Sequence, residues 1–402
     1  MAPKLLVLAT TAILVAGCTH QGHAEKAPGA AVSTAVDVNM LGSGNFPTKP
    51  SPPLGSAGSS AQGALIDARR MADAVVGPWE VEPSLTIPGT ARAMVLPDAA
   101  ALADLLPAAV ATAAAPLIYG FSSDRSNPHQ VRLMNAVLRF TDLSAAAAAA
   151  AGMAAAAMAQ APTVDHLVPI SGHPDTHATT FSYDLDTDGP APATVFSFTA
   201  RGPYVLVQIA HSDTMPKATG LVARTLDLQG PRIDEFTPTD PALFPTLAVD
   251  PSGLLAHTMS APTYPDPPGA KPFDPEIGVY LPRAALHFQD SPVDARAAFA
   301  AAGLREMTFN QTAVYRARDA AAATRLADDL TAIAMRAEPS AQPLNAVDFL
   351  PSSRCVESRR TADDAVSFCF AALNDLVIAV HDADPTGARQ ETAAQYKMLL
   401  AE

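Results

Sequence analysis

A heptapeptide occurs twice. Ala-Val-Leu-Arg-Phe-Thr-Asp at Ala136–Asp142 returns as Ala-Val-Tyr-Arg-Ala-Arg-Asp at Ala313–Asp319, and an alanine-rich helical pattern follows each copy. A chain that repeats a strand together with the helix after it is constrained to build one unit twice. Weaker matches extend the repeat. Val81-Glu82-Pro83-Ser84 answers Val249-Asp250-Pro251-Ser252, Val95-Leu96-Pro97 answers Tyr280-Leu281-Pro282, Gly120 answers Gly303, and Tyr204–His211 answers Asn374–His381 with one slip.

Each copy reads in one order: a short strand and a helix, the Ala-Val-x-Arg strand and its helix, three strands, and a closing helix. Asp142 and Asp319 suit N-caps for the helices that follow them. Turn signals such as Asp188-Gly189-Pro190 and Gly202-Pro203 join the three strands closely, so these should be antiparallel neighbours. The expected class is α+β: two tandem related domains, each a mostly antiparallel sheet with helices packed on one face.

The 402 residues hold three cysteines. Phe196-Ser197-Phe198 matches Phe368-Cys369-Phe370, and the same offset sets Cys355 opposite Tyr183 across the first copy's turn. Cys355 and Cys369 should therefore face each other across a hairpin and form a disulfide, which suits an exported protein. Cys18 belongs to a different signal. Lys4, the apolar run Leu5–Val15 and Val15-Ala16-Gly17-Cys18 resemble a bacterial lipoprotein signal, with cleavage before Cys18 and acylation of that residue. The expected organisation is a signal peptide at 1–17, a lipidated Gly/Ser/Pro-rich tether at 18–62, and repeat domains at 63–235 and 236–402. No mature segment reads as membrane-spanning. The alanine run Ser144–Gln160 is weakly hydrophobic, and its counterpart carries Arg325, Asp328 and Asp329.

Asn45-Phe46-Pro47-Thr48, Ala68-Arg69-Arg70-Met71-Ala72-Asp73, Gly120-Phe121 with Arg125, Asp250-Pro251-Ser252-Gly253-Leu254-Leu255 and Ala313-Val314-Tyr315-Arg316 resemble an uncharacterised lipoprotein family of mycobacteria, nocardiae and their relatives. The resemblance implies export, lipidation and an actinobacterial cell envelope. It implies no activity.

The formal net charge of −14, with no basic run, argues against nucleic acid as a partner. No nucleophile elbow, zincin helix, phosphate loop or dinucleotide fingerprint is present, and no cofactor is implied. The densest polar cluster joins Asp165-His166 to His173-Pro174-Asp175-Thr176-His177, where His173 and His177 are candidate metal ligands. The alternative is a solvated connection, since Pro174 bars the helix that would align the two histidines.

The paired strand ends give a second candidate. His211 with Asp213, and His381 with Asp382, could line a shared cleft, or the acids could cap the helices that follow. Arg139 and Arg316, at equivalent strand positions, could hold an anionic ligand or pair with buried carboxylates. Trp79 reads as core, and Ser122–Arg125 as a polar loop. The expected function is a membrane-anchored envelope lipoprotein that binds a small or lipidic ligand or another envelope protein without catalysis. The alternative is an envelope hydrolase with its site in the inter-domain groove. An apolar groove favours binding; a Ser or Asp in reach of His211 or His381 favours catalysis.

Overall fold

The strand Tyr204–Ser212 is apolar from Tyr204 to Val207 and again at Ile209 and Ala210, and it has apolar neighbours on both sides. Tyr204, Leu206 and Ala210 enter one core cluster; Val205, Val207 and Ile209 enter another. A strand buried on both faces loses the in–out alternation of a half-exposed one. The computed structural model describes residues 36–89, 93–160, 167–181, 193–260, 275–337, 340–359 and 365–401. Residues 37–402 form one compact unit.

The first half contains α1 (Ser60–Met71), α2 (Pro78–Val81), β1 (Ile87–Pro88), β2 (Met94–Leu96), α3 (Ala108–Ala113), β3 (Tyr119–Ser126), β4 (Arg132–Arg139), α4 (Leu143–Gln160), β5 (His177–Phe181), β6 (Ala193–Arg201), β7 (Tyr204–Ser212) and α5 (Met215–Asp234). The second contains β8 (Gly278–Tyr280), α6 (Pro282–Leu286), α7 (Pro292–Ala302), β9 (Glu306–Phe309), β10 (Ala313–Arg316), α8 (Ala320–Ala337), β11 (Gln342–Leu344), β12 (Ser353–Arg359), β13 (Ala365–Leu373), β14 (Leu376–Asp382) and α9 (Pro385–Leu400).

Both sheets are antiparallel and share one strand order. The first runs β2-β3-β4-β7-β6-β5, with β1 also on β3; the second runs β8-β9-β10-β14-β13-β12, with β11 added at the far edge. The registers also correspond. Arg139 lies opposite Tyr204 and Arg316 opposite Leu376; Ser197 lies opposite Gln208 and Cys369 opposite Val380. Val137 and Val314 therefore occupy the same place in two copies of one α+β unit. Asp142 and Asp319 each accept the backbone N–H three residues on, capping α4 and α8. In α4 the buried stripe is Ala146, Ala149, Ala150, Met153, Ala154 and Ala157; in α8 it is Ala322, Ala323, Leu326, Ala327, Leu330 and Ile333. Each stripe follows the i, i+3, i+4 spacing that aims one helical face at a sheet.

The expected helix layer is built by α3 and α4 in the first half and by α7 and α8 in the second. A further layer, α5 with α1 and α2 in the first half and α9 in the second, covers the opposite face. The layer is added because the strands are apolar on both sides.

A buried glutamine fixes this layer in each half by the same device. Gln229 Oε1 accepts from Val76 N and Asn135 Nδ2 while its Nε2 donates to Ala74 O. Gln395 Oε1 accepts from Met259 N and Thr312 Oγ1 while its Nε2 donates to His257 O. Asn135 and Thr312 are equivalent strand positions, so Ala74–Val76 corresponds to His257–Met259.

Several expected correspondences shift as a result. Val81–Ser84 and Val249–Ser252 are not equivalent, because the glutamine contacts align other segments. Gly120 lies inside β3, whereas Gly303 ends α7 in a left-handed conformation, φ 58°. Ser122–Arg125, expected as a polar loop, is the fully buried middle of β3. The residue equivalent to Cys355 is Ala178, which faces Ser197, and Tyr183 lies outside the described residues. The first half's β5–β6 connection is simply longer. Part of the expected tether is ordered: Phe46 packs on Met259, Ala394 and Met398, and Lys397 Nζ donates to Leu41 O.

Candidate functional site

The two halves meet where α6 docks on the 3-10 turn Ala72–Ala74 and the segment after it, His287–Gln289, lies on β3. Asp73 accepts from the backbone N–H groups of Arg283 and Ala284 at the start of α6. Arg125, fully buried, donates to the carbonyls of Thr86, His287 and Gln289, and its guanidinium lies 5.4 Å from the Trp79 ring. His287 packs edge-on against Trp79 and Phe121, and its Nδ1 lies 2.8 Å from Ser123 Oγ. Burial pushes His287 down to about 4, so it is held neutral. This serine–histidine pair is enclosed on every side, at 0% and 1% exposure, and serves the seam between the halves. Trp79 is core, as its sequence context suggested.

Arg139 and Arg316 both extend from equivalent strand ends, but their surroundings differ. Arg139 Nη1 donates to Asp67 Oδ2 (3.0 Å), Tyr119 Oη and Thr239 O. Asp67 also accepts from Tyr119 Oη and from Thr239 N and Oγ1, and pairs with Arg70. This cluster ties α1, the first sheet and the segment after α5 together. Arg316 pairs with Glu306 across β9–β10 at 2.9 Å and stays partly exposed.

His173 Nε2 lies 2.9 Å from Asp227 of α5, and His177 starts β5 opposite Phe198. Among the described residues no group of three or more His, Cys, Asp or Glu is placed to hold a metal ion. Asp165, His166 and Cys18 lie outside the described residues. Cys355 and Cys369 are register partners on β12 and β13 and are joined by a disulfide.

His211 and His381 do not share a cleft. His211 pairs with Arg132 and Thr194 in register, its Nδ1 2.9 Å from Thr194 Oγ1. His381 lies opposite Phe368, which matches Phe196 of the first half; Phe196 faces Ile209. The structural counterpart of His381 is therefore Ile209, two residues before His211. The slip that aligned the histidines does not exist in the fold. Desolvation, with Arg132 nearby, lowers the pKa of His211. Asp213 is exposed, accepts from Ser212 Oγ and lies 3.6 Å from Lys217. Asp384 caps α9 through Thr386 N and Gly387 N, and Asp382 accepts from Asp384 N.

What the sequence did not reveal is a groove of about 340 Å³ between α8 and the second sheet. Its floor is set by register. Phe309, Ala313, Ala379 and Phe370 stand in one row across β9, β10, β14 and β13. Two small residues on the central strands lie between two aromatic ones on the outer strands, which makes a trough. Leu330, Ile333 and Ala334 of α8 form one wall, and Phe288–Ser291 another. Gln289 Nε2 donates to Tyr315 Oη at one end; Gln311 and His381 stand at the other.

The first half fills the middle of the equivalent space and keeps a separate groove at Thr194, Phe196, Ile209 and His211. Met134, Val207 and Ile209, all buried, take the places of Gln311, Ala379 and His381. The sequence signal was available in the pairs Val207/Ala379 and Ile209/His381, but only correct register matches them.

Among the described residues no helix is long and apolar enough to cross a membrane. Residues 54–249 match the N-terminal domain of unknown function DUF7373, and residues 254–402 match the DUF7373 C-terminal domain. No curated protein matches the chain. The crystal structure of the extracellular domain of PknH from Mycobacterium tuberculosis is similar over 42% of this chain and 97% of its own, at 14% identity and a TM-score of 0.29. From residue 54 onward, this chain carries the N-terminal and C-terminal DUF7373 domains, both of unknown function, in tandem.

Proposed function

We propose that this protein is a lipid-anchored envelope protein that binds a small apolar ligand in the trough of its second half, with the first half as scaffold. The observation that carries the reading is the half-exposed apolar floor at Phe309, Ala313, Ala379 and Phe368. The sister copy fills the middle of this space with Val207 and Met134, so the small Ala379 and the polar Gln311 keep the floor open to an occupant. Its volume falls in the range of small-molecule pockets, about 300–1,000 Å³. Acylation at Cys18 would hold the unit at a membrane, and several acyl chains on one residue give stable attachment.

The test writes the first half into the second. A Gln311→Met, Ala379→Val, His381→Ile variant should keep the near-UV circular dichroism of the parent. It should lose binding of the uncharged apolar dye N-phenyl-1-naphthylamine by at least tenfold. Undiminished dye binding would overturn the site. Anchoring is tested separately: an alkyne-tagged fatty acid should label the wild type in its native host and not a Cys18→Ala variant. Labelling of that variant would overturn the anchor.

A further inference from the structure

On the face of the second sheet that α9 covers, a buried row is polar where the first half is mostly apolar. Glu357, Ser367 and Asp382 stand side by side across β12, β13 and β14. Thr180, Val195 and Ala210 hold the same places in the first half. Above the row, Glu391 of α9 replaces Thr225 of α5, each four residues before the glutamine that fixes its helix. Thr225 is satisfied by donating to Leu221 O. Glu391 has no such outlet. It is fully buried, and neither carboxylate oxygen has a partner within hydrogen-bond geometry, although Gln311 stands beside it. Ser367 is fully buried as well, and its Oγ also lacks a partner.

Asp382 is held in the same space. Its Oδ1 accepts from Asp384 N, and its Oδ2 lies against Gly387, where a Cβ would stand 2.5 Å away. Gly387 and Glu391 are one helical turn apart on α9, so Asp382 and Glu391 occupy adjacent turns of one face. Glu357, at the far end of the row, is matched to Arg359 at 2.8 Å. Among the described residues neither Asp382 nor Glu391 is ion-paired.

Buried polar groups are ordinarily hydrogen-bonded, and buried charges are paired or coordinate a metal. Two carboxylates, a hydroxyl and an amide oxygen form an all-oxygen set, which suits a hard cation, and the two negative charges match a divalent one. Calcium exchanges its water for protein oxygens more readily than magnesium, as an enclosed site requires. We infer that Asp382 and Glu391 hold a calcium ion between β14 and α9, with Ser367 Oγ and the Gln311 amide oxygen as neutral ligands and water completing the shell. Gln311 also borders the trough, but the two sites are argued from different observations.

The experiment uses the full chain, stripped with a chelator, at pH 8. That pH lies above the value of about 7 to which burial raises Glu391 in the metal-free protein, so the cation meets little competition from a proton. Calcium chloride should raise the Tm of the wild type saturably, half-maximally at about 0.1–1 mM, the range of extracellular calcium modules. Magnesium should need at least tenfold more for the same rise. Glu391→Gln should abolish the rise, and Asp382→Asn should weaken calcium at least tenfold. A Ser367→Val, Asp382→Ala, Glu391→Thr variant carries the first half's residues at these places. It should keep the near-UV circular dichroism of the parent and retain no calcium in equilibrium dialysis, where the wild type retains one ion per chain. Absence of a calcium-dependent rise in the wild type overturns the site. So does a rise that persists in Glu391→Gln, or bound calcium in the triple variant. Equal potency of the two metals overturns the assignment of calcium.

Discussion

The two halves share a strand order and register, yet the middle of the sheet under the helix layer is filled in one and open in the other. On the first sheet Met134, Val207 and Ile209 close against α3 and α4; on the second, Gln311, Ala379 and His381 leave a trough under α8. The central strands pair in the same register in both, and at these positions the difference is one of side-chain size and polarity. Duplication of a packed unit lets one copy keep the core while the other gives up part of it, because the shared seam at Arg125 and His287 still holds the pair together. The charged clusters diverge in the same sense. Arg139 is buried against Asp67, whereas its counterpart Arg316 is partly exposed beside Glu306.

The largest effect should separate those two arginines. Removing one partner of a buried ion pair leaves the other charge uncompensated, at a cost of about 3–5 kcal/mol. Arg139→Met should cost that much in chemical denaturation, and Arg316→Met clearly less, because its pair with Glu306 keeps part of its solvent. Equal costs would break the comparison. The disulfide is next. It closes a loop with a sequence separation of 14, for which the chain-entropy model gives about 3 kcal/mol. In a Cys355→Ala, Cys369→Ala variant, hydrogen exchange should accelerate in β12 and β13 and stay unchanged in β5 and β6, where Ala178 faces Ser197.

The pH dependence sharpens the contrast between the seam and the second half. His287 falls from an ordinary 6.5 to about 4 on burial, so the unfolded chain binds the extra proton between those values. Its contribution is present above pH 6.5 and is lost as pH falls toward 4, roughly 3 kcal/mol in all. Glu391 moves the other way. Burial raises it from 4.5 to about 7, so the native state holds the extra proton. Its contribution is present below pH 4.5 and is lost as pH rises through 7, by a similar amount. The stability gap between wild type and His287→Gln should therefore widen from pH 4 to 6.5, and the gap to Glu391→Gln should narrow from pH 4.5 to 7. Parallel pH profiles for the two variants would refute both shifts.

The smallest effect is the reciprocal swap. Val207→Ala opens a cavity in a closed core and should cost about 2 kcal/mol. Ala379→Val enters open space and should change stability by less than about 0.5 kcal/mol, with the volume of the trough reduced.

Much of the fold was legible. The doubled Ala-Val-x-Arg strand, the capping aspartates and the apolar runs placed β4, β10, α4, α8 and the hairpins, because local periodicity and caps are sequence properties. The facing cysteines were legible too, although the partner of Ser197 proved to be Ala178 and not Tyr183, since loop length does not survive as a pattern. β3 was missed for a physical reason. Ser122, Ser123, Asp124 and Arg125 are polar and read as loop, but Arg132, His287 and a set of carbonyls satisfy Asp124, Ser123 and Arg125 inside the molecule. The candidate site was missed as well. His211 and His381 drew the eye by identity, while the trough is defined by Ala313 and Ala379, which look unremarkable in a chain rich in alanine.

The sequence by itself determined that one α+β unit is made twice and which cysteines meet. Only the tertiary structure decided which residues of the two copies correspond, where the halves touch and where the floor of the second sheet is left open. Periodicity is carried by neighbours along the chain, whereas register, seams and cavities depend on side-chain volumes contributed by strands far apart in it.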